Sequence, residues 1–243
     1  MNIKIFIFTF VWNNKYILPN FINHYQSQFE NSKIIILDNE STDGSDKIAK
    51  KMNCTVLSWK TNNEINNKQL IFMKNNVWKS KKKKKNWIIV CDVDELLDIN
   101  EKQLRKENKQ GTTIIKTKGY EMIGNSKYSN LSDIDLTKIT KGVESVPESK
   151  KILFSAFDIK EINYNFGSHS CSPIGNVVYS KTIYPLYHYK WLGIEYVVND
   201  YIQKNKRRSR YDKDHGYGRH REKNRNQIEN IYNDLIKQSV NVR

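Results

Sequence analysis

Residues 86–97, NWIIVCDVDELL, decide how this chain is interpreted, because a continuous apolar run ends in the acids Asp92, Asp94 and Glu95. Such a run is typical of a strand buried on both faces of a sheet. Neighbouring carboxylates repel one another and resist burial unless a positive charge lies among them. Residues two apart on an extended chain point to the same side, so Asp92 and Asp94 are placed to hold one ion. The sequence therefore predicts a site for Mn²⁺ or Mg²⁺, which prefer oxygen ligands and leave positions for phosphate. The alternative is a strand end that simply runs into a polar loop.

The first half of the chain alternates apolar runs with helical patterns. Strands are predicted at residues 3–11, 33–37, 54–57 and 87–91, and helices at 16–29, at 69–78, and from a cap at Asp43 or Ser45 to about Met52. This order predicts the α/β class, with a mostly parallel central sheet, flanking helices and right-handed crossovers.

The second half is less regular. Strands are predicted at residues 112–117, 152–154 and 182–189, helices at 193–206 and 222–237, and a long polar excursion at 123–150. The apolar positions of the last helix recur at helical spacing. We expect residues 1–200 to form the main domain and residues 201–243 a basic helical extension packed on it.

The net charge of +15 in 243 residues is local, since most of it lies in the run at 81–85 and in the tail at 201–225. The simplest interpretation is a solvated loop and a solvated helix face. An anionic membrane surface or a polyanionic glycan is the other partner class that these charges fit. No motif for reading a nucleic-acid groove accompanies them, so nucleic acid is not an expected partner.

The cysteines, Cys54, Cys91 and Cys171, are odd in number and lack the CxxC spacing. They predict neither a disulfide framework nor a zinc knuckle, and they favour a reducing compartment. No apolar run approaches the length of a membrane span. The expected location is cytoplasmic, with peripheral membrane association left open.

A second predicted strand also ends in an acid. The stretch ILDNESTDGS places Asp38 at the strand tip, with Asn39 and Thr42 in the turn that follows. Ligands of open parallel sheets lie beyond the carboxyl ends of the strands, so both acidic tips are expected at one crevice. Asp38 would accept hydrogen bonds from a nucleoside, while Asp92 and Asp94 would hold an ion against a diphosphate.

Seven stretches in order resemble the nucleotide-sugar glycosyltransferases of the GT-A type, near their family 2-like bacterial and viral group. They are FTFVWNNKYILPNFINHY, IIILDNESTDGS, MKNNVWKS, WIIVCDVDELL, KGYEMIG, KILFSAFDIKEINYNFGSHSCSPIG and YPLYHYKWLGIEYVVNDY. The resemblance implies a metal-dependent, inverting transfer of a hexose or deoxyhexose from a nucleoside-diphosphate sugar, UDP or dTDP by expectation, to a hydroxyl of a glycan or small acceptor. It also implies that Asp38 contacts the base, that Asp92 lies near the ribose and metal, and that Asp94 binds the metal. Asn13 and Asn14 stand where the family often has Asn-Glu, so a carboxylate near the nucleoside is missing.

Two histidines extend this candidate site. His188 suits a third metal ligand, which the resemblance favours, but it also fits a hydrogen bond to the diphosphate or a half-buried core position. His169, in a loop of small residues, suits an acceptor contact or a general base, or a brace for the loop. The candidate bases are Glu95, Glu121, Asp158 and His169, with His169 or Asp158 preferred. Glu95 begins a helix-like ELL segment and is equally suited to bracing it.

Cations near these segments complete the expected site. Lys74 stands on the helix before the metal strand and is placed to meet sugar or phosphate, or else solvent. Lys190 and the group Arg207, Arg208 and Arg210 are expected to close over the diphosphate as a flexible tail. The rival hypotheses are an inactive basic module that binds nucleic acid or glycan, and a metal-dependent nucleotidyltransferase or phosphohydrolase.

Overall fold

The structure, a computed structural model, describes residues 3–127, 131–132 and 134–243. The strands are β1 (Lys4–Val11), β2 (Ser32–Asp38), β3 (Thr55–Ser58), β4 (Asn86–Asp92), β5 (Glu95–Leu97), β6 (Ile114–Ile123), β7 (Lys141–Glu144), β8 (Leu153–Ser155), β9 (Ile159–Glu161), β10 (Ile174–Gly175), β11 (Tyr179–Trp191) and β12 (Val240–Asn241). The helices are α1 (Leu18–Gln28), α2 (Ser45–Lys51), α3 (Asn67–Asn76), α4 (Glu101–Lys109), α5 (Ile194–Lys206), α6 (Arg210–Asp214) and α7 (Arg225–Gln238).

The first four strands form a parallel sheet in the order β4, β1, β2, β3. The apolar runs of β1, β2 and β4 are buried by helices on both faces, as continuous runs without a polar side require, while β3 at the edge is largely exposed. In the register, Phe10 of β1 lies opposite Asp92 of β4, and Val11 lies opposite Asp38 of β2. Both acidic strand tips therefore lie at the same edge of the sheet, one on each side of β1.

Six of the remaining strands extend this sheet, while β9 and β10 form a separate two-stranded sheet. The long pairing of β6 with β11 is parallel, while β8, β7, β12 and β5 add short antiparallel ladders. The predicted α/β class, with a mostly parallel central sheet flanked by helices and a helical C-terminal appendage, is confirmed.

The helix-like interpretation of ELL is wrong. Glu95, Leu96 and Leu97 form β5, which pairs antiparallel with β11 so that Glu95 lies opposite His188. Backbone pairing with a long neighbouring strand outweighs the weak helix propensity of three residues. Leu96 and Leu97 are buried in the core beneath it.

Two further local predictions need correction. The N-cap residue of α2 is Gly44, at φ +89°, rather than the predicted Asp43 or Ser45. Asp43 Oδ1 instead accepts from the backbone and the hydroxyl of Ser45, at 2.9 and 2.6 Å. The 123–150 excursion is also shorter than predicted, because β6 runs on to Ile123 and β7 returns to pair with it.

The C-terminal region is tied to the rest of the chain at several points. The predicted boundary between residues 200 and 201 falls inside α5, and β12 pairs with β7 at the edge of the main sheet. Ile228 and Tyr232 of α7 pack with Trp191 and Tyr201 in a separate apolar cluster, while Ile236 stays exposed.

The lysine run at 81–85 lies at the amino end of β4, and the acidic tips lie at its carboxyl end. The two features are thus separated by the length of the strand. Across the described ranges, none of the helices combines the length and the apolar character needed to cross a bilayer.

Candidate active site

A cavity of about 670 Å³ opens at the carboxyl edge of β1 and β4. Its walls come from the ends of β1 and β2, residues 59–74, the turn after β4, Glu121 of β6, the loops at 145–150 and 166–169, and the C-terminal segment from His188 to Arg221. A crevice at the carboxyl ends of parallel strands is where open α/β sheets bind ligands.

Asp92 lies at the cavity with its charge matched by a buried cation. Its Oδ1 is 2.8 Å from Nζ of Lys74, which is only 3% exposed on α3. Burial alone would raise the pKa of Asp92, but Lys74 and Lys150 outweigh burial and lower it. Asp92 is therefore ionised and held by α3.

Glu95 points into the protein from the turn after β4. It is 1% exposed, its Oε2 accepts from the backbone N–H of Asp92 at 3.0 Å, and its Oε1 is 2.5 Å from Nζ of Lys150. Lys150 also lies 2.8 Å from Glu148. Burial alone would lower the pKa of Lys150, but these carboxylates outweigh it and raise that pKa well above its usual value.

His188 is the centre of the acidic side of the cavity. Its Nε2 lies 3.6 Å from Oδ2 of Asp94, and its Nδ1 lies 3.0 Å from Glu121 and 3.6 Å from Glu148. Burial alone would lower the pKa of His188, but Glu121 and Asp94 outweigh it and raise that pKa well above its usual value. In the same way, burial alone would raise the pKa of Asp94, and His188 lowers it far below the usual range.

His169, on the loop at 166–169, lies beside these acids and next to Glu148. Its Nδ1 is 3.0 Å from the backbone oxygen of Pro147 and 3.7 Å from Oε1 of Glu148. A carbonyl oxygen only accepts, so Nδ1 carries the proton and Nε2 keeps its lone pair in the neutral ring. Gly167, at φ +78°, lies against the ring, and a Cβ there would be 2.6 Å from His169 Cδ2.

Part of the cavity wall is cationic. It contains Lys190, Lys204, Arg207 and Arg221, and it also contains Asp200, which lies 2.9 Å from Nζ of Lys204. Burial and the nearby positive charges of Lys190 and Arg221 together lower the pKa of the adjacent His220 to about 4. An anionic ligand in the cavity would therefore meet positive charge on this wall.

Arg207 joins this wall to the tips of β1 and β2. Its guanidinium lies 3.8 Å from the ring centre of Trp12, and it donates to Oδ1 of Asn39 at 2.7 Å and to the backbone oxygen of Asn63 at 2.9 Å. Arg208 is also buried, where it pairs with Glu222 and donates to the backbone oxygen of Tyr217, whereas Arg210 is exposed. The three arginines predicted as one flexible group therefore occupy three different environments, and two of them are fixed.

Three of the residues predicted near the nucleoside, Asp38, Asn13 and Thr42, lie behind the cavity wall rather than on it. Asp38 accepts from the backbone N–H of Ser41 at 3.3 Å, and its buried Oδ1 has no hydrogen-bond partner among the described residues. Asn13 and Thr42 bond to each other between their two loops. Asn39 lines the cavity, but its amide is taken by Trp59, Thr61 and Arg207.

The structure separates Asp158 from the other candidates. Ser155 of β8 lies opposite Trp87, at the amino end of β4, and its hydroxyl donates to Asp158 at 2.6 Å. β4 has seven residues. At about 3.3 Å per residue, this puts Asp158 roughly 20 Å along the strand from Asp92. The preference for Asp158 as the base is therefore wrong. β8 runs antiparallel to β4 and carries Asp158 to the amino edge of β4, away from the cavity.

No protein-family model matches the chain, and no curated protein matches it. Among solved structures, S. aureus TarS 1–349 aligns at 13% identity over 83% of this chain and 65% of that one, with a TM-score of 0.45. The complex of TarS 1–349 with UDP-GlcNAc aligns at 13% identity over 83% and 66%, with a TM-score of 0.44. Mannosyltransferase PcManGT from Pyrobaculum calidifontis, in complex with GDP-Man and Mn²⁺, aligns at 9% identity over 53% and 37%, with a TM-score of 0.36. The chain thus spans less than two thirds of the length of these proteins.

The acidic side of the cavity suits a divalent cation. One oxygen each of Glu121 and Glu148 and a nitrogen of His188 lie within 4.8 Å of one another. Two of these atoms, Glu121 Oε2 and His188 Nδ1, lie 3.0 Å apart, and Glu148 Oε2 is 2.8 Å from Nζ of Lys150. Carboxylate and imidazole donors are those that Mn²⁺ accepts, so the donor set fits the predicted ion.

Sequence reasoning missed several residues of this site. Glu148 and Lys150 stand in a polar stretch with no motif of their own, and they reach the site because β7 and β8 carry their loop there. In the sequence, Arg221 and Lys204 are two of many cations in the basic region 201–225, and nothing there distinguishes them as cavity residues. Glu121 was considered only as a base, and its contact with His188 follows from the register of β6 with β11.

Proposed function

We propose that this protein is a divalent-metal-dependent glycosyltransferase of the GT-A type, which moves a hexose or deoxyhexose from a nucleoside-diphosphate sugar to a hydroxyl of a glycan or small acceptor. The observation that carries this proposal is the polarity of the cavity. Asp92, Asp94 and His188 line the same cavity as the cationic wall of Lys190, Lys204 and Arg221. A cation bound to a diphosphate needs both kinds of surface at once.

Asp94 and His188 would hold the ion, with Glu121 and Glu148 within reach of His188 and Asp92 positioned by Lys74. When bound, Mn²⁺ or Mg²⁺ neutralises negative charge on the departing diphosphate. Lys190, Lys204 and Arg221 would stabilise the same charge from the cationic wall. A cation bound in this way would balance the neighbouring negative charges at the end of β4.

His169 is the base we assign to the reaction. Its Nε2 would accept the proton of the acceptor hydroxyl as that oxygen bonds to the anomeric carbon. The bond from that carbon to the diphosphate breaks, and the diphosphate leaves with the electron pair. Pro147 and Glu148 keep the ring in the tautomer that this transfer needs. The product would have the inverted configuration.

The nucleoside would lie near the tips of β1 and β2. Trp12 and Trp59 offer aromatic surface there, and Asp38 offers an oxygen with no hydrogen-bond partner among the described residues. Asn13, Asn39 and Thr42 would shape this part of the site through the bonds that connect the two loops. A uridine or thymidine diphosphate is the donor class that we propose.

The test is a screen of UDP- and dTDP-sugars for diphosphate release in the presence of Mn²⁺. Replacing Asp94 with Asn should reduce release at least about 100-fold, since it removes a charge that acts on the reacting centre. Asp98→Asn is the matched control, because Asp98 is exposed just beyond β5, and this variant should keep full activity. Release of a nucleoside monophosphate would instead indicate a nucleotidyltransferase. The proposal would be contradicted if the protein released no diphosphate from any of these donors and if Mn²⁺ with any nucleotide left its thermal unfolding midpoint unchanged.

A further inference from the structure

The edge of the sheet opposite the cavity carries a surface that the proposed reaction does not use. Three segments meet there: the lysine run at 81–85, residues 157–160, and residues 174–183. We call these segments together the basal surface.

Backbone contacts make the basal surface continuous. Lys82 Nζ donates to the backbone oxygen of Lys160 at 2.7 Å, and the backbone N–H of Ala156 donates to Asn86 at 2.9 Å. Gly175 pairs with Ile159, which joins the second segment to the third. The three segments are therefore neighbours in space, although more than 90 residues separate their ends in the chain.

Large apolar side chains are exposed across this surface. The exposed fractions are 59% for Phe157, 55% for Ile174, 40% for Val178, 42% for Tyr179 and 56% for Ile183. Single exposed apolar residues are normal on a soluble protein, but a contiguous group of them marks an interaction site.

The charge of the basal surface is almost entirely positive. Its segments contain seven lysines and one acid, Asp158. Asp158 is already engaged by the hydroxyl of Ser155. Lys82, Lys83, Lys84, Lys85, Lys160 and Lys181 are exposed. The nearby Glu161 is paired with Lys79 at 2.6 Å, so it does not offset this field.

We propose that the basal surface binds the face of an anionic lipid bilayer, with the lysines at the headgroups and the apolar side chains inserted among them. Lysines near an anionic leaflet are attracted by its surface potential, and apolar side chains gain from leaving water at the headgroup boundary. A nucleic acid or an anionic glycan would use the lysines but would leave Phe157, Ile174 and Ile183 in water. The combination therefore favours a membrane over the other polyanions.

The basic tail has no part in this surface. Arg207 and Arg208 are buried against the cavity side of the molecule, and Arg221 lines the cavity. The exposed cations of the tail, such as Arg210 and Lys213, belong to the segment that lines the cavity, so the run at 81–85 is the basic segment that the basal surface contains.

Binding through the basal surface fixes the orientation of the protein. The cavity lies at the other end of β4, so it opens away from the bilayer. A bound molecule would then take its acceptor from the aqueous side rather than from the headgroup layer on which it sits.

The experiment is sedimentation of the full chain with vesicles of phosphatidylcholine alone and of phosphatidylcholine with phosphatidylserine at about three to one. The wild-type protein should partition at least about tenfold more strongly into the anionic vesicles, and salt should weaken this binding. The variant Lys83→Glu with Lys84→Glu should lose at least about tenfold in partitioning. The matched control, Arg210→Glu with Lys213→Glu, makes the same charge change on the exposed tail and should bind as the wild type does.

A second variant separates a membrane from a simple polyanion. Phe157→Ser with Ile174→Ser leaves every charge in place and should reduce vesicle partitioning severalfold while leaving heparin retention unchanged. Both side chains are exposed, so the unfolding midpoint should stay near that of the wild type. Unchanged vesicle binding in this variant would show a polyanion surface and would overturn the membrane assignment. Absence of vesicle binding by the wild type, or equal losses in the tail control, would overturn it as well. None of these measurements depends on sugar transfer.

Discussion

At the scale of single residues, the acids that end β4 are tolerated because each has a defined partner. Asp92 has Lys74, Glu95 has Lys150, and Asp94 has His188. Each partner comes from a different element, so the acids depend on tertiary structure for their charge balance. Removal of one partner leaves a carboxylate that water reaches only in part.

We expect Lys74→Met to lower the free energy of unfolding by about 1–2 kcal/mol, because Asp92 loses its cation while 36% of its side chain stays open to water. In that background, Asp92→Asn should cost less than it does in the wild type. A double-mutant cycle measured by urea unfolding gives the coupling between the two side chains. Equal costs of Asp92→Asn in both backgrounds would show that the pair contributes nothing.

His24 gives the protein a defined dependence of stability on pH. His24 is part of α1, burial lowers its pKa below the usual 6.5, and its Nε2 lies 2.9 Å from the backbone oxygen of Leu97. Below pH 6.5 the unfolded chain binds a proton that the folded chain does not, so the free energy of unfolding falls as the pH falls. The slope from this group is at most about 1.4 kcal/mol per pH unit.

Urea unfolding between pH 7.5 and 5 should therefore show a shallower pH dependence for His24→Gln than for the wild type. His220, whose pKa burial also lowers, contributes equally to both proteins, so the difference isolates His24. Identical slopes would mean that folding leaves the pKa of His24 unchanged.

At the scale of elements, strand register and tight turns decide what reaches the cavity. Gly119 of β6 packs against the backbone of Glu148, where a Cβ would overlap that backbone. The loop at 145–150 can approach β6 closely only for this reason. The turn at 166–169 works in the same way, because Gly167 leaves the space that the ring of His169 occupies.

Gly167→Ala should reduce turnover by about tenfold or more, since a small displacement of a reacting group is costly. Gly216→Ala is the control: Gly216 also has a positive φ, of +72°, but nothing lies within 4 Å of its missing Cβ. Both variants should lose about 1 kcal/mol of stability from the backbone conformation. Steady-state kinetics on the donor identified by the screen compares them, and equal turnover in the two variants would remove His169 from the role of base.

At the scale of the whole molecule, the C-terminal segment from Lys190 to Arg221 folds back and forms part of the cavity wall. Arg207 joins the ends of β1 and β2 to the loop after β3, and Asp212 accepts from the backbone and side chain of Asn67 at the start of α3. The segment is thus a wall of the site rather than a free tail.

Arg207→Ala should raise the KM for the donor by roughly tenfold with a smaller change in kcat, because the residue shapes binding rather than the reacting centre. Loss of its stacking on Trp12 should also lower the free energy of unfolding by about 1 kcal/mol. Arg210→Ala, three positions later and exposed, is the matched control and should leave both quantities unchanged. A KM effect of equal size in the control would point to the general charge of the tail.

The sequence by itself determined the alternating order of strands and helices, the parallel first half of the sheet and the acidic ends of β2 and β4. Those features are local: a continuous apolar run, a helical period or a charge at a strand tip is legible within about ten residues. Only the tertiary structure decided which distant side chains meet. Glu148 and Lys150 reach the acids of β4, Asp158 goes to the far edge, and Arg207 reaches Trp12, because antiparallel returns and the closing C-terminal segment set those contacts. Such pairings depend on strand order and register across more than 50 residues of chain, for which the local pattern carries no signal.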